Sequence, residues 1–95
     1  MATPGFECDE VKAALNLDKH GVAFTEAATV FEDPQALTFF DDEHSQSEER
    51  WITIDYSQAL RLPLVVSTDR ESGVRIVSAC KAEAPERKFY EQHNR

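Results

Sequence analysis

The spacing of apolar residues predicts two short helices early in the chain. Val11, Ala14 and Leu15 recur at i, i+3 and i+4, which gives a helix with a narrow apolar stripe. Asp9 is a suitable N-cap just before them, because its carboxylate can accept from the free backbone N–H groups of the first turn. These signals predict a first helix over about residues 10–19.

A second helix is predicted directly after the first. Gly21 lies where a left-handed residue commonly ends a helix. We expect Thr25 to be the next N-cap, with Val30 and Phe31 facing inward. Pro34 ends this helix, because proline disfavours helical geometry in the residue before it. Two short helices should therefore form a compact corner.

Segments that are rich in β-branched residues or alternate in polarity predict strands on both sides of these helices. Along residues 50–56 the alternation places Ile52 and Ile54 toward the core. Pro63 cannot donate to a sheet, so it belongs at a strand start or at an unpaired edge. The last two strands form a hairpin joined by residues 69–73. The predicted strands cover residues 6–8, 36–40, 50–56, 62–67 and 74–79.

A third helix is predicted over about residues 84–93. Pro85 is tolerated in a first turn, Glu86 lies near the positive end, and Phe89 is expected to be the main anchor to the core. The order of elements indicates an α+β fold: a short N-terminal strand, two helices, an antiparallel four-stranded meander and a C-terminal helix. We expect residues 1–95 to form one domain, since a chain of this length buries one modest core.

Composition places the chain among soluble globular proteins. Apolar residues make up 41% of it and charged residues 29%, and no apolar run is long enough to span a membrane. The first residues lack a secretory signal, so a cytoplasmic location is expected. Cys8 and Cys80 lie far apart without metal-binding spacing, so we expect both to be small buried residues, and we expect no metal or cofactor.

The net charge of −8 is unevenly distributed. Residues 1–50 contain twelve acids and three bases, whereas residues 51–95 contain seven bases and six acids. The negative net charge of the whole chain argues against non-specific DNA binding, but a few arginines on one surface can still bind a phosphate. Such a site is expected to draw its cations from the later strands and the last helix.

Ionisable residues lead directly into the strand at residues 50–56. His44 titrates near neutral pH and can act as a general acid or base, although a histidine in a charged loop can also be merely solvated. Glu48 and Arg50 are two residues apart and so lie on one side of an extended segment. They can form a base beside a phosphate clamp, or a plain surface ion pair.

Four further residues carry candidate chemistry. Arg75 alternates with apolar residues and needs an anion, either a substrate phosphate or a carboxylate from a neighbouring strand. Lys81 can add charge after the last strand, and Tyr56 can bind a phosphate or stack on a base but is also typical of a rim. Lys19 suits the end of the first helix, with substrate contact as the alternative. We take Lys81, Tyr56 and Lys19 as candidate substrate contacts.

These residues, in this order, resemble the BrnT toxins, the ribonuclease half of a type II toxin–antitoxin pair. The resemblance extends over nearly the whole chain and rests on four segments taken together. They are Phe6-Glu7-Cys8-Asp9-Glu10 with Lys12 and Asn16; Lys19-His20-Gly21-Val22-Ala23-Phe24 with Glu26-Ala27 and Val30-Phe31-Glu32-Asp33-Pro34; His44-Ser45 with Glu48, Arg50, Ile52, Ile54 and Ser57; and Arg75-Ile76-Val77-Ser78-Ala79 with Ala82, Glu86-Arg87 and Tyr90.

The resemblance implies a RelE-like fold and endoribonuclease activity without a metal ion. It also implies neutralisation by a ribbon-helix-helix antitoxin similar to BrnA, with DNA contact only through the antitoxin complex and no membrane contact. In this interpretation Arg50, Arg75 and Lys81 hold the scissile phosphate of an RNA substrate. His44 or Glu48 transfers the protons.

The chain departs from the family pattern at three positions. Cys8 stands where tryptophan is expected, Asp55 where glycine is common, and Cys80 where arginine is expected. The change at Cys80 removes a cation from the implied site. It opens an alternative in which the chain is a weak or inactive nuclease and serves only as a binding partner of its antitoxin.

Overall fold

The computed structural model describes residues 6–7, 9–43, 48–58, 60–71 and 73–93. Within these residues, a short strand, two helices, four consecutive strands and a last helix follow one another in the order expected for the α+β fold. The elements are β1 (Phe6–Glu7), α1 (Glu10–His20), α2 (Phe24–Thr29) followed by a 3₁₀ turn (Val30–Glu32), β2 (Leu37–Phe40), β3 (Trp51–Ile54), β4 (Pro63–Arg70), β5 (Gly73–Lys81) and α3 (Ala84–His93).

The described strands form one mixed sheet in the order β1-β5-β4-β3-β2. From β2 to β5 each strand pairs antiparallel with the next, as the short connections predict. The expected four-stranded meander is nevertheless wrong as a description of the sheet, because β1 adds a fifth strand parallel to β5. The backbone of β5 has a second edge that needs partners, and the two helices after β1 provide the crossover that a parallel pair requires.

Helix α1 begins and ends as predicted. The Asp9 carboxylate accepts from the backbone N–H of Val11 at 2.9 Å. Gly21 adopts a φ of 71° and donates to the Leu17 carbonyl at 2.8 Å, which ends the helix in a left-handed cap. The apolar stripe, however, faces solvent, since Val11 is 68% exposed and Leu15 64% exposed.

A polar residue occupies the buried face of α1 instead. Asn16 is 7% exposed, and its side-chain amide donates to the backbone carbonyls of Val22 at 2.9 Å and Ala79 at 2.8 Å. Its oxygen accepts from the Ala79 N–H at 3.1 Å. Because one amide satisfies three buried backbone groups, Asn16 fixes α1 and the following turn against the C-terminal part of β5.

The second helix is shorter than predicted and has a different start. Ala23 occupies the N-cap position without a side-chain hydrogen bond, so the expected cap at Thr25 is wrong. Val30 continues the chain into a 3₁₀ turn that ends before Pro34. Burial of Phe24 and its neighbours, rather than a cap, therefore sets where α2 begins.

The hairpin of β4 and β5 is longer than predicted. Pro63 is the first residue of β4, as expected. The strands remain paired as far as Arg70 opposite Gly73, so the turn that was predicted over residues 69–73 is wrong. A register irregularity between Val66 and Ser67 bends the ladder. The extra pairs carry Arg70 into the sheet.

Helix α3 has the predicted bounds but a different anchor. Phe89 is 39% exposed, whereas Tyr90 is 7% exposed and donates its phenol hydrogen to the buried Asp55 carboxylate. Burial raises the pKa of Asp55 above its ordinary value, and the neighbouring Asp33 carboxyl adds to this, while the Tyr90 hydrogen bond opposes it. Phe89 is therefore wrong as the main anchor, and Tyr90 holds α3 to the sheet.

The core lies on both faces of the sheet. One buried cluster joins the α1–α2 corner to Val65, Ile76 and Ala79, and a second joins Ile54 and Leu62 to Tyr90. Ile54 is buried as expected, and Ile52 is half-buried. Among the helices described here, none combines the length and the apolar character needed to span a bilayer.

Candidate active site

A cleft rich in cations lies where the β4–β5 hairpin turns, beside the start of α1. It has a volume of about 230 Å³. We call it the hairpin cleft. Its described lining residues are Lys12, Glu48, Arg50, Arg70, Arg75, Ile76 and Val77. Two of the residues singled out from the sequence as phosphate ligands, Arg50 and Arg75, are thus brought together.

Glu48 lies between two arginines of the hairpin cleft. Its carboxylate is 3.3 Å from Nε of Arg50 and 3.4 Å from Nη2 of Arg70. All three side chains are about one-third exposed or somewhat more, so these ion pairs are open to water and to a ligand. Glu48 and Arg50 thus form the ion pair that was one of the two expectations from their spacing. The Glu48 carboxylate still lies at the wall of the cleft.

Arg75 enters the cleft from the middle of the sheet. It is half-buried on β5, opposite Thr68 and beside Glu7. Over the described part of the chain, no carboxylate lies within ion-pairing distance of the Arg75 guanidinium. Lys12, exposed on the first turns of α1, likewise has no such partner there. A bound anion would therefore meet positive charge that the protein itself has not neutralised.

A second cleft lies at the other end of the hairpin. It has a volume of about 250 Å³ and is called the Lys81 cleft. Its described lining residues are Tyr56, Leu60, Arg61, Leu62, Lys81 and Arg87. Lys81 and Arg75 are six steps apart along one strand, which is about 20 Å at the usual strand rise. The structure therefore separates two residues that were expected to hold one phosphate.

Sequence reasoning missed the network behind the Lys81 cleft. The Arg61 guanidinium makes a two-point contact with the Glu26 carboxylate and donates to the Gly21 carbonyl at 3.0 Å. Ser57 donates to the same carboxylate at 2.6 Å. The hydrogen bond from Arg61 holds the pKa of Glu26 below its ordinary value. This network ties the α1–α2 corner to the loop before β4.

No local spacing in the sequence could have paired Glu26 with Arg61. The only signal was that Glu26 and Ser57 belong to the motif segments that resemble the BrnT toxins. Lys12 and Arg70 were also missed as cleft residues. Lys12 is another motif residue, and Arg70 was assigned to a turn that proved to be strand.

Three other residues from the sequence analysis lie elsewhere. Lys19 is exposed on the last turn of α1 and lines neither cleft. Cys80 is half-buried on β5 opposite Leu64, and the pKa of its thiol is raised by burial and by the nearby carboxylates of Glu86 and Glu83. His44 lies outside the described residues, as does Cys8.

Across the described ranges, no group of three or more His, Cys, Asp or Glu side chains is arranged to hold a metal ion. The described side chains of the hairpin cleft offer guanidinium, ammonium and carboxylate groups. Such groups can bind a phosphate, stabilise the charge that develops on it and accept a proton.

Comparison with known proteins identifies the family. The family model described as "Ribonuclease toxin, BrnT, of type II toxin-antitoxin system" matches residues 8–86. The chain belongs to the BrnT family. Among solved structures, this BrnT-family chain is similar to the crystal structure of the Brucella abortus ribonuclease toxin BrnT, with a TM-score of 0.64 and 21% sequence identity. The alignment covers 85% of this chain and 99% of that one, which supports the fold. No curated protein matches the chain.

The family match confirms the resemblance inferred from the sequence. Several motif residues of this BrnT-family chain have structural contacts rather than a place in a cleft. Asn16 fixes α1 to β5, Glu26 and Ser57 join the loop before β4 to α2, and Tyr90 anchors α3. These motif residues therefore hold the helices and loops of this chain against its sheet.

Proposed function

We propose that this BrnT-family chain is the endoribonuclease toxin of a type II toxin–antitoxin system and that it holds the scissile phosphate in the hairpin cleft. The observation that carries the proposal is Arg75. It is half-buried, it lies beside Arg50 and Arg70, and no described carboxylate pairs with it. In a chain with a net charge of −8, such a concentration of positive charge favours a specific anion.

RNA can be cut by its own 2′-hydroxyl. The hydroxyl loses a proton and attacks phosphorus, the bond to the 5′-oxygen breaks, and that oxygen takes a proton as it leaves. We assign Glu48 as the proton acceptor, because its carboxylate lies between two arginines that can bind the same phosphate. We assign His44, four residues earlier in the sequence, as the proton donor. Arg50 and Arg75 stabilise the charge on the phosphorane.

The Lys81 cleft supplies further substrate contacts in this proposal. Lys81 is exposed there, and Tyr56 is 40% exposed with its ring packed edge-on against Tyr90 at 5.6 Å. An RNA strand that crosses the sheet would bind the hairpin cleft with one phosphate and the Lys81 cleft with another. Lys19 remains a proposed contact on the α1 side.

The remaining parts of the proposal follow the resemblance to the family. They are a single RelE-like domain, cleavage by protein side chains without a metal ion, action in the cytoplasm, and inhibition by a ribbon-helix-helix antitoxin similar to BrnA. Contact with DNA would occur only through the antitoxin complex, and none is proposed with a membrane.

The experiment compares wild-type protein, freed of antitoxin, with Arg75→Ala and Lys88→Ala on a labelled single-stranded RNA in EDTA. Wild type should cut the RNA, Arg75→Ala should be slower by about 10²-fold because a phosphorane ligand is lost, and Lys88→Ala should match wild type. Lys88 is the control because it is exposed on α3 and lines neither cleft. Intact RNA under conditions where the Brucella protein cuts, or full activity of Arg75→Ala, would contradict the proposal.

Cys80 favours one alternative, a chain that only pairs with its antitoxin. The thiol stands where the family pattern has arginine, and the carboxylates of Glu83 and Glu86 lie near it. Expression of Cys80→Arg in cells separates the two functions. A large gain in growth arrest would support the binding-only function, and no change would support a nuclease that is complete without an arginine there.

A further inference from the structure

A cavity adjoins the hairpin cleft and shares two residues with it. It has a volume of about 350 Å³, and we call it the Trp51 cavity. Its described lining residues are Glu48, Glu49, Trp51, Thr68, Asp69 and Arg70. Glu48 and Arg70 line both spaces, so the cavity and the cleft adjoin at these two side chains. A nucleotide whose phosphate lies among the arginines can therefore place its base in the cavity.

Trp51 gives the cavity an aromatic wall. It begins β3, is paired with Ser67 on β4, and remains half-exposed. The Phe40 ring packs against the indole edge-on, with centroids 5.3 Å apart and an interplanar angle of 76°. The ring is thus held in place by the sheet and by its neighbour. Exposed aromatic rings beside a cationic groove are the usual platform on which single-stranded RNA stacks its bases.

Carboxylates make up three of the six described residues that line the cavity. Glu49 and Asp69 are exposed, and within the described chain neither carboxylate is ion-paired, whereas Glu48 pairs with Arg50 and Arg70. Thr68 donates to the Glu49 carbonyl at 2.7 Å, which fixes that part of the backbone at the cavity. The cavity therefore presents carboxylate oxygens, which can only accept hydrogen bonds.

Guanine fits such acceptors better than the other bases do. Its Watson–Crick edge carries an N–H and an amino group side by side, and these match the two oxygens of one carboxylate. Uracil has one N–H between two carbonyl oxygens, which a carboxylate repels. Adenine and cytosine each place an acceptor nitrogen beside their amino group, so one carboxylate oxygen would face a lone pair.

We propose that the Trp51 cavity is a subsite for guanine in single-stranded RNA, with the base stacked on Trp51 and its donor edge bound by Glu49 or Asp69. The inference rests on the proposed function for its substrate class. Base binding can, however, be measured without any cleavage, so the two proposals can fail separately.

Trp51 is the single tryptophan of the chain, so its fluorescence reports directly on the cavity. The protein is titrated with the 3′-monophosphates of guanosine, adenosine, cytidine and uridine, and with inorganic phosphate. Excitation is at the red edge of the indole band, where nucleotides absorb weakly. Guanosine 3′-monophosphate should quench Trp51 and bind at least about tenfold more tightly than the other three nucleotides, a discrimination typical of a bidentate base contact.

Variants test which carboxylates are responsible. A double Glu49→Gln, Asp69→Asn variant should lose about tenfold in guanosine affinity and bind the four nucleotides alike. Glu71→Gln is the matched control, since Glu71 is exposed close to Asp69 but lines neither space. Trp51→Phe, followed by calorimetry, should keep part of the affinity because a smaller ring still stacks. Thermal unfolding confirms that each variant is folded.

The outcomes separate the two proposals. Equal binding of all four nucleotides, quenching by inorganic phosphate alone, or an unchanged preference in the double variant would overturn the guanine subsite, even if the protein cuts RNA. Guanosine-selective quenching together with intact RNA would support the subsite and overturn the ribonuclease.

Discussion

The two clefts at opposite ends of the β4–β5 hairpin contain the same kinds of side chain but use them differently. In the Lys81 cleft, the Arg61 guanidinium is bound to the Glu26 carboxylate and to the Gly21 carbonyl. In the hairpin cleft, Glu48 is the single carboxylate among the described lining residues, against three arginines and a lysine. An arginine's role is thus decided by its partners: the first cleft uses its guanidinium to hold the fold, and the second leaves positive charge for a ligand.

The largest expected effect is in the hairpin cleft. Glu48→Gln removes the proposed proton acceptor but also removes a negative charge from a phosphate site. The rate of RNA cleavage at saturating substrate should therefore fall by about 10²-fold or more, while RNA affinity stays the same or rises. Single-turnover kinetics and a fluorescence-anisotropy titration measure the two quantities.

The matched change in the other region is Glu26→Gln, which should leave cleavage within a few-fold of wild type. If Glu48→Gln kept full activity, Glu48 would be only an ion-pair partner of Arg50 and Arg70. If Glu26→Gln abolished cleavage without unfolding the protein, the division between the two clefts would be wrong.

The second expected effect is a loss of folding stability, which should follow from a change in the Lys81 cleft but not from a change in the hairpin cleft. Arg61→Ala leaves the Glu26 carboxylate, whose side chain is 13% exposed, without its guanidinium partner. Loss of hydrogen bonds to a charged, mostly buried group costs about 2 kcal/mol. Arg75→Ala should change the free energy of unfolding by only about 0.5 kcal/mol, as for a residue without a buried network. Urea unfolding of both variants measures these changes in unfolding free energy. Similar losses for Arg61→Ala and Arg75→Ala would show that the two clefts do not differ in their contribution to stability.

The third effect depends on pH. Because the folded-state pKa of Glu26 is lowered from its ordinary 4.5, the ion pair stabilises the fold above that pH, and this contribution is lost as the pH falls through the lowered value. The difference in unfolding free energy between wild type and Glu26→Gln should thus be large at neutral pH and shrink in acid. The raised pKa of Asp55 acts in the opposite direction but is common to both proteins, so it cancels. Glu32→Gln, which removes an exposed carboxylate on the 3₁₀ turn and keeps the Glu26–Arg61 ion pair, is the matched control.

Short-range signals in the sequence predicted the elements well. Asp9, Gly21 and Pro63 all act on backbone within a few residues of themselves, and each lies where it was expected. The apolar stripe of α1 shows a limit of short-range signals, because they do not reveal which face of the helix is buried. Periodicity finds a helix, but the buried face is set by Asn16, whose partner on β5 is 63 residues away. The exposed Val11 and Leu15 carry no signal that distinguishes them from core residues.

The sequence predicted only some residues of the candidate site, because local patterns do not show which strands pair and over what length. Alternation along the last strand singled out Arg75, the two-residue spacing from Glu48 singled out Arg50, and the fold brings both arginines to the hairpin cleft. Lys81 was grouped with them on the resemblance to the family, although six positions along one strand already separate it from Arg75 by about 20 Å. Arg70 was missed because the extent of the hairpin depends on pairing between strands rather than on turn residues.

The smallest expected effect tests whether RNA occupies one cleft or both. Lys12 and Lys81 are exposed and lie in different clefts, so each would contribute one screened phosphate contact. Losing a contact to single-stranded RNA should weaken binding a few-fold and reduce the salt dependence of log K by about 0.7. We expect this for Lys12→Ala with a short oligonucleotide, and for Lys81→Ala only with a longer one, because the clefts are about 20 Å apart. Anisotropy titrations over a range of salt concentrations, with Lys88→Ala as control, give the slopes. A reduced slope for Lys81→Ala on the short RNA would mean that the phosphate binds at the other end of the hairpin.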